Sequence, residues 1–253
     1  MRNDPEINAD LSTYSSKEIE TFTAFKKQLD NFSGGPGLLM SNFSRFVRFQ
    51  DTTRFLIMYE LYKKIVNVHG SIIEIGVLNG FNIFSFAHFC EIFEPRNYTR
   101  KILGFDTFEG HTSQILEKDG EVGLAESTEG FATHSYDELQ KSVELFNNSI
   151  QFNQFEKIRL IKGDAVKTIP EYYENHPELL VSLLICYTDI YAPTRVALEK
   201  FWPRMPKGSI VLIASSNYEK SPGEITAFDD VLGVGNFELR RFPFATRASY
   251  IVK

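Results

Sequence analysis

A glycine-bearing turn after an apolar stretch is the first place in the chain where a ligand could be held. Glu74, Gly76 and Gly80 lie in Ser71–Gly80 (SIIEIGVLNG), which starts as a β-branched apolar run. A carboxylate inside such a run is costly to bury unless a partner binds it. Glycine lacks Cβ, so the backbone at Gly76 and Gly80 can turn tightly and a ligand can approach it closely. The pattern predicts a buried strand that ends in a glycine turn, which is either a binding turn or an ordinary connection to the next helix.

Two aspartates that end other apolar runs are suited to hold a nucleoside. Asp106 ends the run Lys101–Asp106, where a carboxylate can accept hydrogen bonds from both hydroxyls of a ribose. Asp164, after Gly163, follows the run Lys157–Lys162. A carboxylate there can accept a hydrogen bond from an adenine amino group.

A third aspartate is placed for acid–base chemistry. Asp189 follows Leu179–Tyr187, the most apolar run of the chain. Its carboxylate can accept a proton from a substrate hydroxyl that comes within hydrogen-bond reach. Aspartate is also common in turns and at helix N-caps, so each of the three aspartates alone is better explained as structural. Their occurrence together with the glycine turn is what indicates a site.

The elements that must position these residues are strands alternating with helices. Such alternation from residue 71 onward predicts an α/β fold with a mostly parallel sheet, and Leu179–Tyr187 is expected at its centre. In an open sheet of this kind, ligands bind beyond the carboxyl ends of the strands. Phe237–Phe242 and Ala248–Val252 have no helix between them, which predicts a C-terminal antiparallel hairpin.

Composition restricts the class of protein and its partners. The chain has 253 residues, of which 43% are hydrophobic and 24% charged, values typical of a soluble globular protein. The net charge of −6 argues against a nucleic-acid partner, and no apolar run is long enough to cross a membrane. No apolar signal region follows the N-terminus, so we expect a cytoplasmic protein. Cys90 and Cys186 lie in apolar contexts and are predicted to be buried thiols.

The predicted organisation is an N-terminal extension, residues 1–37, followed by one domain, residues 38–253. Residues 111–135 are polar and lack a clear period, which predicts a lid-like insertion. His111 and His134 in this insertion are weak catalytic candidates, since a lone histidine on a polar loop is usually solvent-exposed. An aromatic-rich helical stretch, Leu38–Val68, is compatible with a homo-oligomer interface or with ordinary core packing.

Several segments resemble the macrocin O-methyltransferase family, whose members methylate sugar hydroxyls in macrolides and related compounds. Ile102–Gly110 (ILGFDTFEG) is similar to the Gly-Phe-Asp-Thr/Ser-Phe-Glu-Gly element of that family. The Glu-x-Gly-x-x-x-Gly spacing at residues 74–80 looks like the first motif of S-adenosylmethionine-dependent methyltransferases. Further similarity, in the same order along the chain, lies in Gly163–Asp164, Thr168–Tyr172, His176–Leu179, Asp189–Thr194 and Pro222–Glu224.

The resemblance implies a Rossmann-like class I methyltransferase fold, S-adenosylmethionine as cofactor and S-adenosylhomocysteine as its product. It implies a small-molecule acceptor with a hydroxyl group, such as a sugar. It also implies a set of cofactor contacts, namely Glu74, Gly76, Gly80, Asp106, Thr107 and the pair Gly163–Asp164.

The chain departs from this family at its metal site. Typical members carry Asp-Val-Asp where this chain has Tyr187-Thr188-Asp189, and a second acidic pair where it has Ala214-Ser215. In those enzymes the first Asp and the later pair hold magnesium, and the second Asp acts as base. Magnesium prefers carboxylate and water ligands, which Tyr187, Ala214 and Ser215 do not supply. We therefore predict no magnesium site of the family type and assign Asp189 as the base.

Three functions are compatible with these observations. The first is a metal-independent O-methyltransferase acting on a sugar or another hydroxylated small molecule. The second is a non-catalytic relative that serves as a binding or interaction module, which the lost acids would also explain. The third is a nicotinamide-dependent oxidoreductase, disfavoured because the Gly-x-Gly-x-x-Gly turn is absent. Decay should also have eroded Glu74, Gly76, Asp106 and Asp164, so their persistence favours the first.

Overall fold

The computed structural model describes residues 3–4, 9–10, 15–110, 116–121 and 136–253. Its internal contacts divide the chain into two units, Met1–Arg54 and Phe55–Lys253. The predicted boundary after residue 37 stays a prediction. Within the described residues, no helix has the length and the apolar character that crossing a membrane requires.

The first unit is mainly helical. Two short strands, β1 (Asn3–Asp4) and β2 (Ala9–Asp10), pair antiparallel. Helix α1 (Ser16–Asp30) begins at a capping box, in which the hydroxyl of Ser15 accepts the backbone N–H of Glu18 and the Glu18 carboxylate accepts the Ser15 N–H. Such reciprocal pairing satisfies two N–H groups that the first turn leaves without partners.

The predicted continuous helix over Leu38–Val68 is wrong. The stretch instead contains α2 (Gly35–Ser41), a 3-10 turn at Phe43–Arg45, and α3 (Phe49–Ile65). The side-chain amide of Asn42 donates to the carbonyl of Leu38 at 2.9 Å, and this contact ends α2. Asparagine competes well for backbone carbonyls in this way, so the apolar period continues although the helix does not.

The second unit is built on one seven-stranded sheet. Its strands are β3 (Ser71–Ile75), β4 (Ile102–Asp106), β5 (Ile158–Lys162), β6 (Val181–Cys186), β7 (Ile210–Ile213), β8 (Arg240–Arg241) and β9 (Ser249–Val252). Its helices are α4 (Phe81–Phe93), α5 (Tyr136–Ser149), α6 (Ala165–Asn175), α7 (Tyr191–Phe201) and α8 (Gly223–Leu232). The spatial strand order is β5-β4-β3-β6-β7-β9-β8.

The pairing confirms the predicted α/β fold, with a mostly parallel sheet and a C-terminal antiparallel hairpin. β3 to β7 run parallel, while β9 pairs antiparallel with both β7 and β8. β6 is the fourth of the seven strands, so the most apolar run is at the centre, as predicted. β3 pairs with β4 on one side and β6 on the other, so the strand order reverses there. Such a reversal opens a crevice at the carboxyl ends of the two strands.

Apolar side chains fill the space on both faces of the sheet. Neighbouring residues of one strand point to opposite faces. Ile72 therefore packs with α4, α5 and the part of α3 that belongs to the second unit, while Ile73 packs with α6, α7 and α8. Cys90 and Cys186 are free and lie in these two layers, as predicted. Burial raises the pKa of the Cys90 thiol to about 11.

A buried arginine that sequence analysis did not single out fixes the amino-terminal edge of the sheet. Arg100 donates to the carbonyls of Gly70 and Val68, both at 2.9 Å, and to the Ser182 hydroxyl at 2.7 Å. It also pairs with the Glu94 carboxylate at 2.9 Å. These contacts join the end of α3 to the starts of β3 and β6.

Replacing Arg100 should destabilise the fold strongly. Arg100→Met removes the charged partner of the half-buried Glu94 carboxylate and leaves several carbonyls without their donor, and we expect a loss of about 3–5 kcal/mol in the free energy of unfolding. Urea unfolding monitored by circular dichroism measures it. The exposed Arg96→Met is the matched control and should change the free energy by less than about 0.5 kcal/mol. Equal midpoints for the two variants would show that Arg100 does not hold the sheet.

Candidate active site

The candidate residues chosen from the sequence converge at the carboxyl ends of neighbouring parallel strands. The turn from Gly76 to Gly80 follows β3, and Asp106 ends β4. Asp164 follows β5 and Asp189 follows β6. The four strands are adjacent in the order β5-β4-β3-β6, so the candidates lie along one edge of the sheet, at the reversal of strand order.

The glycine turn needs a residue without a side chain at its first position. Gly76 has φ of 88°, and a Cβ placed there would collide with the carbonyl oxygen of Tyr187, the residue that leaves β6. Glycine adopts such a φ without steric cost, and here it also lets the exits of β3 and β6 pass each other closely. Gly80, with φ of 80°, occupies the N-cap of α4, where no side chain caps the helix. Backbone N–H groups at such a terminus can face an anionic or polar ligand.

Asp106 ties β4 to this turn. Its Oδ2 accepts the backbone N–H groups of Val77 at 2.7 Å and Leu78 at 3.0 Å, and its Oδ1 accepts that of Phe108 at 2.8 Å. The half-buried carboxylate therefore orders the turn, a role that sequence analysis did not give it. A carboxylate offers about four acceptor sites, so three N–H contacts leave capacity for a ribose hydroxyl.

The buried glutamate of β3 has a polar partner in the next helix. Glu74 is only 1% exposed, and its carboxylate accepts a hydrogen bond from the side-chain amide of Asn82, which is fully buried in α4. This contact reduces the cost of burying a carboxylate in an apolar strand. It also fixes the start of α4 against β3.

Asp164 and Thr107 both make local contacts. Asp164 is the N-cap of α6 and accepts the N–H of Val166 at 3.0 Å, so helix capping explains its place after Gly163. Thr107 donates its hydroxyl to the carbonyl of Gly110 and shapes the turn after β4. Asp164 and Thr107 are half-buried, and their roles toward a cofactor stay predictions.

A fully buried glutamate, to which sequence analysis gave no role, joins the exits of β6 and β7. The Glu224 carboxylate, at the start of α8, accepts the N–H groups of Thr188 at 2.7 Å and Asp189 at 2.9 Å on Oε1. Its Oε2 accepts the N–H of Ser215 at 2.9 Å. Burial, and then the Asp189 carboxylate, raise the pKa of Glu224 to about 8, against the opposing effect of the three N–H donors. The sequence signals for Glu224 were an acid in the first turn of a helix and its place in the family-like segment Pro222–Glu224, neither of which assigns it a role.

Asp189 has a strained backbone conformation next to the Glu224 carboxylate. Its φ is 59°, in the left-handed region that non-glycine residues seldom adopt. Its side chain is half-buried, and Oδ1 accepts the hydroxyls of Ser215 and Ser221. Strain of this kind persists where surrounding contacts enforce it, and it recurs at functional sites.

The donor set at the strand ends does not fit a magnesium ion of the kind that the family resemblance implies. Both oxygens of Glu224 already accept backbone N–H groups, which leaves Asp189 as the carboxylate beside Tyr187, Ala214 and Ser215. Within the described ranges, no three His, Cys, Asp or Glu side chains are placed to hold a metal. Magnesium prefers several carboxylate and water oxygens.

Only residues 116–121 of the predicted lid are described. Within them, the buried Asp119 accepts the N–H of Tyr191 at 2.6 Å, which attaches this short segment to the first residue of α7. His111 and His134 lie outside the described residues, so a catalytic role for either stays a prediction.

The raised pKa of Glu224 predicts a pH dependence of stability. The pKa of a glutamate in an unfolded chain is about 4.3, whereas the pKa of Glu224 in the folded protein is about 8. Between these values the folded state holds a proton that the unfolded state has lost, so stability falls as pH rises. Glu224→Gln cannot titrate and should flatten this decline in urea unfolding at pH 5, 6.5 and 8. The exposed Glu219→Gln should keep the wild-type slope, and a Glu224→Gln slope equal to wild type would contradict the assignment.

Two solved structures at 30% identity or above match nearly the whole chain. The crystal structure of CalS11, a calicheamicin methyltransferase, is 31% identical over 96% of this chain and 96% of that chain, with a TM-score of 0.89. The apo structure of CalS11, described as a TDP-rhamnose 3′-O-methyltransferase of calicheamicin biosynthesis, is 30% identical over 96% and 99%, with a TM-score of 0.81. The O-methyltransferase NovP, at 19% identity over 79% of each chain and a TM-score of 0.64, shares the fold. No protein-family model and no curated protein matches the chain.

The match to CalS11 covers both the sheet and its surrounding helices, and it confirms the Rossmann-like methyltransferase fold predicted from the sequence. The narrower assignment to the macrocin O-methyltransferase family stays a prediction. Identity of 30–31% over 96% of the chain nevertheless shows kinship and not only a shared fold. The chain belongs to the family of sugar O-methyltransferases that includes CalS11.

Proposed function

We propose that this protein transfers a methyl group from S-adenosylmethionine to a hydroxyl of a sugar, with Asp189 as the base. The observation that carries the proposal is the position of Asp189. It follows the central strand β6, beside the glycine turn at the reversal of strand order, where ligands of open α/β sheets bind. CalS11 is described as acting on TDP-rhamnose, so we propose a nucleotide-linked deoxysugar as the acceptor class.

The proposed cofactor site uses the residues chosen from the sequence. Asp106 would accept a ribose hydroxyl with the capacity that its three N–H contacts leave, and Asp164 would accept the adenine amino group. The turn from Gly76 to Gly80 and the neighbouring Glu74 would meet the methionine portion. Thr107 and Gly163 would line the site between them. When bound, S-adenosylmethionine supplies an electrophilic methyl group on a positively charged sulfur.

The residues of the chain then have to orient the acceptor and take one proton. Asp189 would accept the proton of the acceptor hydroxyl as that oxygen takes the methyl group, and S-adenosylhomocysteine would be the product left behind. Oδ1 of Asp189 accepts the hydroxyls of Ser215 and Ser221, and we assign Oδ2 as the proton acceptor. Correct alignment of the two reacting atoms supplies a large part of the rate enhancement, and proton removal supplies a further about 10²–10⁴-fold.

We further propose that this reaction proceeds without the magnesium ion of related enzymes. A metal ion can orient a hydroxyl and lower its pKa. The support for its absence is the donor set, in which Tyr187, Ala214 and Ser215 stand where related enzymes carry acids. The deprotonation therefore depends on Asp189 alone.

Cofactor binding is tested by calorimetric titration of S-adenosylhomocysteine into the chelator-treated protein. We expect saturable binding by the wild type. Asp106→Asn should weaken it by about 10-fold or more, since a charge-assisted contact to the ribose is lost. Asp137→Asn, an exposed change in α5, is the control and should bind as the wild type does. No heat of binding with folded wild-type protein would refute the cofactor assignment.

The role of Asp189 is tested by transfer of a labelled methyl group to TDP-rhamnose. We expect a labelled sugar product, and Asp189→Asn should lower kcat by about 10²–10⁴-fold because the amide cannot take the proton. Binding of S-adenosylhomocysteine should be unchanged in this variant. If Asp189→Asn turned over at the wild-type rate, Asp189 would not be the base.

A further inference from the structure

Two serine hydroxyls meet the same oxygen of Asp189. Ser215 follows β7 and donates its hydroxyl to Oδ1 of Asp189. The hydroxyl of Ser221, just before α8, lies 3.1 Å from that oxygen and 3.2 Å from the carbonyl oxygen of the same residue. Ser215 is 5% exposed and Ser221 is 1% exposed, so water competes little for either contact.

The chemistry of the contact fixes its direction. An ionised carboxylate only accepts hydrogen bonds, so both hydroxyls act as donors toward Asp189. Hydrogen bonds to a charged group are stronger than those between neutral groups. With Oδ1 held by two donors, the carboxylate cannot rotate freely about its side chain. The position of Oδ2 is thereby fixed as well.

The charge of Asp189 explains why hydroxyls suit these positions. Glu224 lies beside Asp189 and accepts its backbone N–H. Where typical relatives carry an acidic pair, this chain has Ala214 and Ser215. A further carboxylate at Ser215 would repel Asp189 if no cation lay between them. A serine hydroxyl at this position donates a hydrogen bond to Asp189 and adds no charge.

We propose that Ser215 and Ser221 are positioning residues for the Asp189 base and perform the orienting task that bound metal performs in related enzymes. This inference rests on the proposed function, since it requires Asp189 to accept the proton. Neither serine needs to touch the cofactor or the acceptor. Their effect on the reaction passes through Asp189.

The structure offers variants that remove one contact at a time. In Ser215→Ala the backbone N–H still donates to Glu224, and in Ser221→Ala the backbone N–H still donates to the Tyr218 carbonyl. Ser216→Ala is a matched control, because Ser216 is also buried, at 6% exposed, and is adjacent in sequence to Ser215. Its hydroxyl contacts Ser249 and not Asp189.

The kinetic test measures kcat and KM with S-adenosylmethionine and TDP-rhamnose. We expect Ser215→Ala and Ser221→Ala each to lower kcat by about 10-fold, the value of a hydrogen bond to a charged group, with KM within about twofold. Ser216→Ala should match the wild type. In the Asp189→Asn background, Ser215→Ala should have no further effect, since its partner no longer acts as base. An equal loss in both backgrounds, or none in either, would overturn the proposal.

A stability test decides the same question even if TDP-rhamnose is not the acceptor. Wild-type protein that binds S-adenosylhomocysteine but does not methylate this sugar would refute the proposed acceptor class alone. We then expect Ser215→Ala to lower the Tm by about 3–5 °C in the wild type and by much less in Asp189→Ala. Ser216→Ala should give the same Tm shift in the wild-type and the Asp189→Ala backgrounds. Equal Tm shifts for Ser215→Ala in both backgrounds would show that the hydroxyl does not hold Asp189.

Discussion

The geometry of the site depends on one buried carboxylate that accepts three backbone N–H groups. Strands β6 and β7 end side by side, and the chain leaves both of them with N–H groups that the sheet no longer pairs. Buried donors of this kind need acceptors, and Glu224 supplies both of its oxygens to them. Asp189 keeps its left-handed backbone conformation because this contact holds it there. The backbone of the proposed base is thus held by a residue on a different element, α8.

A second carboxylate performs the matching task on the other side of β3. Asp106 accepts the N–H groups of Val77 and Leu78, as Glu224 accepts those after β6. The crevice at the strand reversal is therefore bordered by two loops, each held by an acid from a neighbouring element. Such pre-ordering reduces the conformational entropy that binding would otherwise cost. The hydrogen bonds from Asp106 also hold the turn after Gly76 in one conformation, although glycine itself could adopt several.

The fold followed from local patterns, whereas the support of the site did not. Alternating apolar strands and helices predicted the sheet, its central strand and its final hairpin. Because the carboxyl ends of parallel strands lie at one edge of a sheet, Asp106, Asp164 and Asp189 were also expected at the same edge. The roles of Glu224 and Ser221 could not be predicted, because their contacts with Thr188 and Asp189 join residues 32 to 36 positions apart. Only the packing of α8 against the ends of β6 and β7 brings them together.

The central claim is that the carboxylate of Asp189, held by protein groups, removes the acceptor proton without a metal ion. It is tested most directly by measuring kcat for methyl transfer to TDP-rhamnose after exhaustive chelation, and again with magnesium restored. The account predicts the same kcat in both conditions. Activity that disappears on chelation and returns with magnesium would contradict it, and would mean that Asp189 binds a metal ion instead of acting alone.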